Sequence, residues 1–176
     1  MDSDDYLRLQ KLYGQLGQIL DGIWFTCVEK AVGFEKAYEI DDEVWRIYSR
    51  KEAKRLRSFF GFQIPTVSDI EKVLRYSLFA QSLEFDLIIA NESPLLLHML
   101  VKNCKTIVGM QNIGRPDEQI EKICKGIGLT YFGALLDEIC PGVKIRCLYT
   151  PITKNSEDKS VCAWEFEFSN LPANLQ

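Results

Sequence analysis

Three cysteines in the C-terminal half are the residues whose type and spacing most invite chemistry. Cys147 sits in Ile145-Arg-Cys-Leu-Tyr149, and Cys162 opens Cys-Ala-Trp-Glu-Phe-Glu-Phe168. Each lies on the apolar side of an alternating run: Ile145, Cys147 and Tyr149 in the first, Cys162, Trp164, Phe166 and Phe168 in the second. Paired as a hairpin, the two thiols become cross-strand neighbours with Cβ atoms ~5 Å apart. That separation permits redox pairing, shared metal ligation or a nucleophile with a partner. Two cysteines packed as small hydrophobes give the same pattern. Cys124 stands in Glu-Lys-Ile-Cys-Lys-Gly-Ile-Gly. A helix starting there places its thiol where the dipole and free N–H groups favour the thiolate nucleophile. A helix running unbroken from Asp117 places it mid-helix, without that help.

Proton carriers come next. Asp41 interrupts an apolar stripe of Phe34, Ala37, Tyr38, Val44, Trp45 and Tyr48. Burial raises a carboxyl pKa and suits general acid or base work, whereas an Arg or backbone N–H partner makes the same residue structural. His98 is the only imidazole, hence the only candidate for a Cys–His arrangement. Gln111 and Arg115 share the stretch between Cys104 and Cys124, where an Arg fork can clamp a ligand carboxylate or cap a helix. Tyr149 and Trp164 supply aromatic walls for a ligand. No Cys-x-x-Cys pair is present, so a zinc site is not expected. The glycine patterns of nucleotide-binding loops and the nucleophile elbow are absent too, and no cofactor is called for.

These residues need elements to position them. Leu9, Leu12, Tyr13, Leu16, Ile19, Leu20, Ile23, Trp24, Cys27, Val28 and Ala31 recur at helical spacing, predicting a first helix that ends or bends before Gly33. A second helix begins near Phe34. Ser49 and Glu52 have capping-box spacing, predicting a third helix that ends at Gly61; Ser68 and Glu71 predict a fourth. The period then drops to two. Phe85, Leu87 and Ile89, then Leu97, Met99 and Val101, predict a hairpin about the Asn91–Pro94 turn. A loop is expected over 104–116. Helix returns over 117–139, softened by Gly126, Gly128 and Gly133, and a second hairpin closes the chain. The order of helices, hairpin, helix, hairpin defines an α+β fold, with N-terminal helices packed on an antiparallel sheet of about four strands.

The bulk numbers agree with one domain over residues 1–176. Apolar residues make up 47% and charged residues 26%, as in globular chains. The net charge of −4 argues against general nucleic-acid binding. No run reaches the ~20 apolar residues of a membrane span, and Met-Asp-Ser-Asp-Asp is unlike an export signal. Reduced cysteines in a cytoplasm are the expectation. The amphipathic first helix, with Trp24, is suited to a homodimer.

The segment Cys124-Lys125, then Arg146-Cys147-Leu148, Pro151 and Cys162-Ala-Trp164-Glu-Phe166, resembles the L-2-amino-thiazoline-4-carboxylic acid hydrolase-like proteins, short and mostly uncharacterised prokaryotic chains. The similarity spans roughly residues 20–168. Members often carry a second cysteine just after the Arg-Cys-Leu strand, where this chain has Tyr149-Thr150. The resemblance implies a small-molecule site near the cysteines and hydrolysis of a C–N or C–S bond in a heterocycle or amide. In that reading Cys124 is the nucleophile or Cys147 and Cys162 frame the reacting carbon, Arg115 holds a carboxylate, and Asp41 or His98 moves protons. A non-catalytic ligand-binding or sensory domain is the alternative.

Overall fold

The computed structural model describes residues 3–92, 94–155, 157–169 and 171. Its first helix, α1, runs Ser3–Val32, and α2 runs Phe34–Phe60. Gly33, at φ 83°, turns the chain between them, a backbone conformation that side-chain-bearing residues rarely adopt. The break predicted before Phe34 is therefore real. The break predicted at Ser49 is not. Ser49 is buried, and its hydroxyl donates to the Trp45 carbonyl at 2.6 Å instead of capping a new helix. Helix α2 carries on to Gly61, whose φ of 74° ends it as expected.

After Pro65, α3 spans Val67–Tyr76. Its capping box is Thr66 with Asp69, two residues ahead of the Ser68–Glu71 box predicted from sequence. A short 3-10 turn at Phe79–Ser82 leads into β1, Leu83–Glu92, and β2, Leu95–Cys104. The stretch expected to be loop holds a helix, α4, Lys105–Asn112, which buries Ile107 and Met110 one turn apart. Its Gly109 and β-branched residues weaken the local helical signal.

The later helix is unbroken from α5, Asp117–Lys122, through a π turn at Ile123–Ile127, to α6, Gly128–Ile139. Strands β3, Lys144–Tyr149, and β4, Cys162–Phe168, complete a four-stranded antiparallel sheet in the order β1-β2-β4-β3. The fold is thus α+β, with helices on one sheet face. Leu97, Met99, Trp164 and Phe166 point to that side, where Phe132 packs with ring centroids 5.1 Å from Trp164 and 5.3 Å from Phe166. On the other face Glu165 takes hydrogen bonds from Arg146 and pairs with His98 at 3.0 Å. Among the described residues no helix is long and apolar enough to cross a membrane.

The apolar stripe predicted on α1 faces outward. Tyr13, Leu16, Ile19, Leu20 and Ile23 are exposed, and Trp24 is 37% exposed. Gly14, Gly17, Gln18, Asp21 and Phe25 lie inward instead. A Cβ at Gly14 would run into Gln81, and one at Gly17 would press on Leu78. These glycines let α1 seat directly on the 3-10 turn.

Candidate functional site

Two cavities meet beneath α1. The outer cleft encloses about 530 Å³ between α1, α2, α4 and the start of the π turn. The inner chamber, about 70 Å³, reaches from there between α2, β2, the π turn and β4. Gln18, Asp21, Asp41, Thr106, Met110 and Ile123 line both and so form the throat. The outer volume falls in the range used by small-molecule sites, and its lining is mostly apolar.

The throat carries two carboxyls. Asp41 is 3% exposed, and its Oδ1 has no hydrogen-bond partner. Burial first, then the charges of Asp21 and Asp42, push its pKa up to about 7, against the indole N–H of Trp45. Burial also raises Asp21 to about 6. Gln18 is held rigidly beside them, donating to the Phe79 carbonyl at 3.2 Å and accepting from Thr106 Oγ1 at 2.9 Å. Two neighbouring carboxyls raised by burial to about 6 and about 7 give one proton acceptor and one donor near neutral pH. Asp41 was legible as a charge inside an apolar stripe. Asp21 was not, because it lies on α1 outside the apolar stripe.

The thiols are arranged differently from the sequence expectation. Cys104, Cys124 and Cys162 line the inner chamber; Cys147 does not. Cys147 pairs with Trp164 across the ladder, and a bulge then shifts Tyr149 opposite Ala163. Cys147 and Cys162 are therefore diagonal neighbours, not a directly facing pair. Cys124 sits within the π turn of a continuous helix, so the helix-terminus activation does not apply. Burial pushes the Cys124 thiol far above its ordinary range, Cys162 up to about 12 and Cys147 up to about 11. Cys104 is raised by burial as well. His98 gives the thiols no base, since it faces Glu165 on the far side of the sheet. Among the described residues no group of three or more His, Cys, Asp or Glu converges to hold a metal ion.

One consequence is measurable. Cys162 near 12 instead of the ordinary 9.0 holds about a thousandfold less thiolate at pH 7.5. Iodoacetamide should leave Cys104, Cys124 and Cys162 essentially unmodified in the native protein and label them rapidly in urea. Peptide mass mapping reads the difference. Fast native labelling of Cys124 would restore a nucleophile.

Trp164 closes the chamber floor. Its ring fills the space a Cβ on Gly128 would occupy. Arg115 borders the outer cleft, but its fork is already engaged. It donates to Glu29 Oε1 at 2.9 Å and Oε2 at 2.6 Å and to Gln119 Oε1 at 2.9 Å. The guanidinium also stacks over Phe25 and Phe34. Arg115 is thus an anchor joining α1 to the start of α5, not an open carboxylate clamp. Gln111 is exposed on α4 and lines neither cavity. Tyr149 bonds Ser160 and lines neither. Of the residues singled out in the sequence, Asp41, Cys124, Cys162 and Trp164 meet at one chamber, with Arg115 at the cleft beyond.

An α+β domain with a two-chambered cleft and paired carboxyls at its throat is the class that fold and site define. The chain belongs to DUF6125, a family of unknown function, whose pattern matches residues 6–168. No curated protein and no solved structure matches it.

Proposed function

We propose that the cleft binds a small heterocyclic or amide molecule and hydrolyses a C–N or C–S bond in it, with Asp41 and Asp21 moving the protons. The observation carrying this reading is the buried Asp41 carboxyl, its Oδ1 without a hydrogen-bond partner, beside Asp21 at the throat. Asp21, the more acidic of the two, takes a proton from a water whose oxygen attacks the substrate carbon. Asp41 gives its proton to the departing nitrogen or sulfur as that bond breaks. Transfer of the proton from Asp21 to Asp41 resets the pair. The buried thiols serve as apolar wall, with no covalent role. Lys105 lines the outer cleft and offers a cation for a substrate carboxylate, since the Arg115 fork is taken.

A heterocycle such as 2-amino-thiazoline-4-carboxylate combines the two groups this arrangement suits, a basic nitrogen for the throat and a carboxylate for the rim. Its consumption, followed by liquid chromatography, should fall at least about a hundredfold in Asp41→Asn, while calorimetric binding persists. Saturable binding without turnover in the wild type would assign the site to a sensory, non-catalytic domain. That second reading draws support from the small inner chamber, which admits only a fragment of a ligand. Neither binding nor turnover would reject this substrate class.

A further inference from the structure

The outer face of α1 is a long apolar surface left uncovered. Tyr6, Leu9, Tyr13, Leu16, Leu20 and Ile23 follow one another at alternating three- and four-residue steps, and Cys27 completes the run. These are the a and d positions of a coiled-coil seam sustained over three heptads. Tyr13 is 64% exposed and Leu20 is 69% exposed. Leu12 and Ile19 widen the seam on one flank and Trp24 on the other. No seam position from Tyr6 to Cys27 carries a charge.

We infer that a second copy of this chain docks here, its α1 antiparallel to the first about a two-fold axis. Three observations select that occupant. A heptad seam is complementary to itself, which a two-fold interface requires. Tyr6, Leu12, Tyr13, Leu16, Ile19, Leu20, Ile23 and Trp24 are all exposed along one side of α1, a contiguous face of the kind that a stable complex, at ~800 Å² per partner, covers. The first turn of α1 holds Asp4 and Asp5 and its last turn holds Lys30. Antiparallel pairing brings opposite charges together, whereas parallel pairing stacks like on like. A lipid surface fits less well, because interfacial helices line the apolar face with Lys and Arg, and this chain is acidic overall.

In the antiparallel register Leu16 meets Leu20 of the second copy, Tyr13 meets Ile23, Leu9 meets Cys27 and Tyr6 meets Lys30. Ile19, Ile23 and Cys27 also border the outer cleft. The second copy therefore walls the cleft mouth, whatever the cleft does.

Sedimentation velocity of the full chain should report a concentration-dependent dimer. Leu20→Glu changes an exposed monomer residue, so it should fold with an unaltered circular dichroism spectrum yet weaken the dimer by about a hundredfold or more. Oxidised Leu9→Cys should give a covalent dimer through Cys27, while the oxidised wild type should not. A monomer at every concentration overturns the proposal, as does a dimer that survives Leu20→Glu. Wild-type cross-linking through Cys27 overturns the antiparallel register. A monomer that floats with phosphatidylglycerol vesicles gives the face to lipid and overturns it too.

Discussion

Asp41→Asn should stabilise the protein at pH 8 by about 4 kcal/mol, while leaving stability at pH 4 nearly unchanged. The folded state raises the Asp41 pKa from 3.8 to about 7, chiefly by burial. A carboxyl raised on folding contributes its full stability below pH 3.8. That contribution is lost as pH climbs through about 7, because the native state must then hold a buried charge. Asp21, raised to about 6, acts in the same direction over a narrower window. Glu52 is also raised by burial, partly offset by hydrogen bonds from the Leu78 amide and the Tyr131 hydroxyl. Glu165 has the opposite sign: the Arg146 hydrogen bond holds it below the usual carboxylate range, so its contribution fades in acid. Comparing wild type with Asp41→Asn cancels these background groups. Urea midpoints at pH 4 and pH 8 provide the measurement. A variant weaker than wild type at pH 8 would mean that the ionised carboxylate is well satisfied and is not held at the throat at a cost in stability.

Arg115→Ala should destabilise by about 3 kcal/mol, the lower end of what breaking a buried ion pair costs. The side chain is 5% exposed and Glu29, its bidentate partner, 23%. Removing the guanidinium strands that carboxylate, frees Gln119 and empties the stack over Phe25 and Phe34. Because α1 forms one cleft wall, the same change should loosen the cleft. Arg115→Lys should rescue little, since an ammonium cannot reproduce the fork or the stacking. Equilibrium unfolding in urea checks both variants. A loss below about 0.5 kcal/mol would return Arg115 to the role of an open ligand clamp.

Much of the architecture was legible before any coordinates. Strand alternation located both hairpins, and Gly33, Gly61 and Pro141-Gly142 marked helix ends correctly. These signals are short-range, arising from the two-residue and 3.6-residue periods of the backbone. The errors came where a distant contact overrode a local cue. Ser49 has capping chemistry, but its hydroxyl turns back to Trp45, and Glu52 is drawn to Tyr131 and Leu78 across the core. In residues 105–112 Thr106, Ile107, Val108 and Gly109 weaken the helical signal, yet burial of Ile107 and Met110 keeps the segment helical. Cys147 faces Trp164 because of the β3–β4 register, which alternation cannot reveal, and Cys104 joins Cys124 and Cys162 in the chamber instead.

By itself the sequence determined the α+β class, the strand faces and the oddity of Asp41 inside an apolar stripe. The direction in which α1 looks was decided only in three dimensions. The helix has an apolar face and a face of small and polar residues, and periodicity predicts that the apolar one turns inward. The small face wins because Gly14 and Gly17 allow close approach to Gln81 and Leu78, while Gln18 bonds the Phe79 carbonyl and Thr106, and Arg115 grips Glu29. These partners lie 61 to 88 residues away along the chain. Their contact energies have no signature in local spacing. That one orientation carries Asp21 to Asp41 and leaves a heptad seam facing solvent.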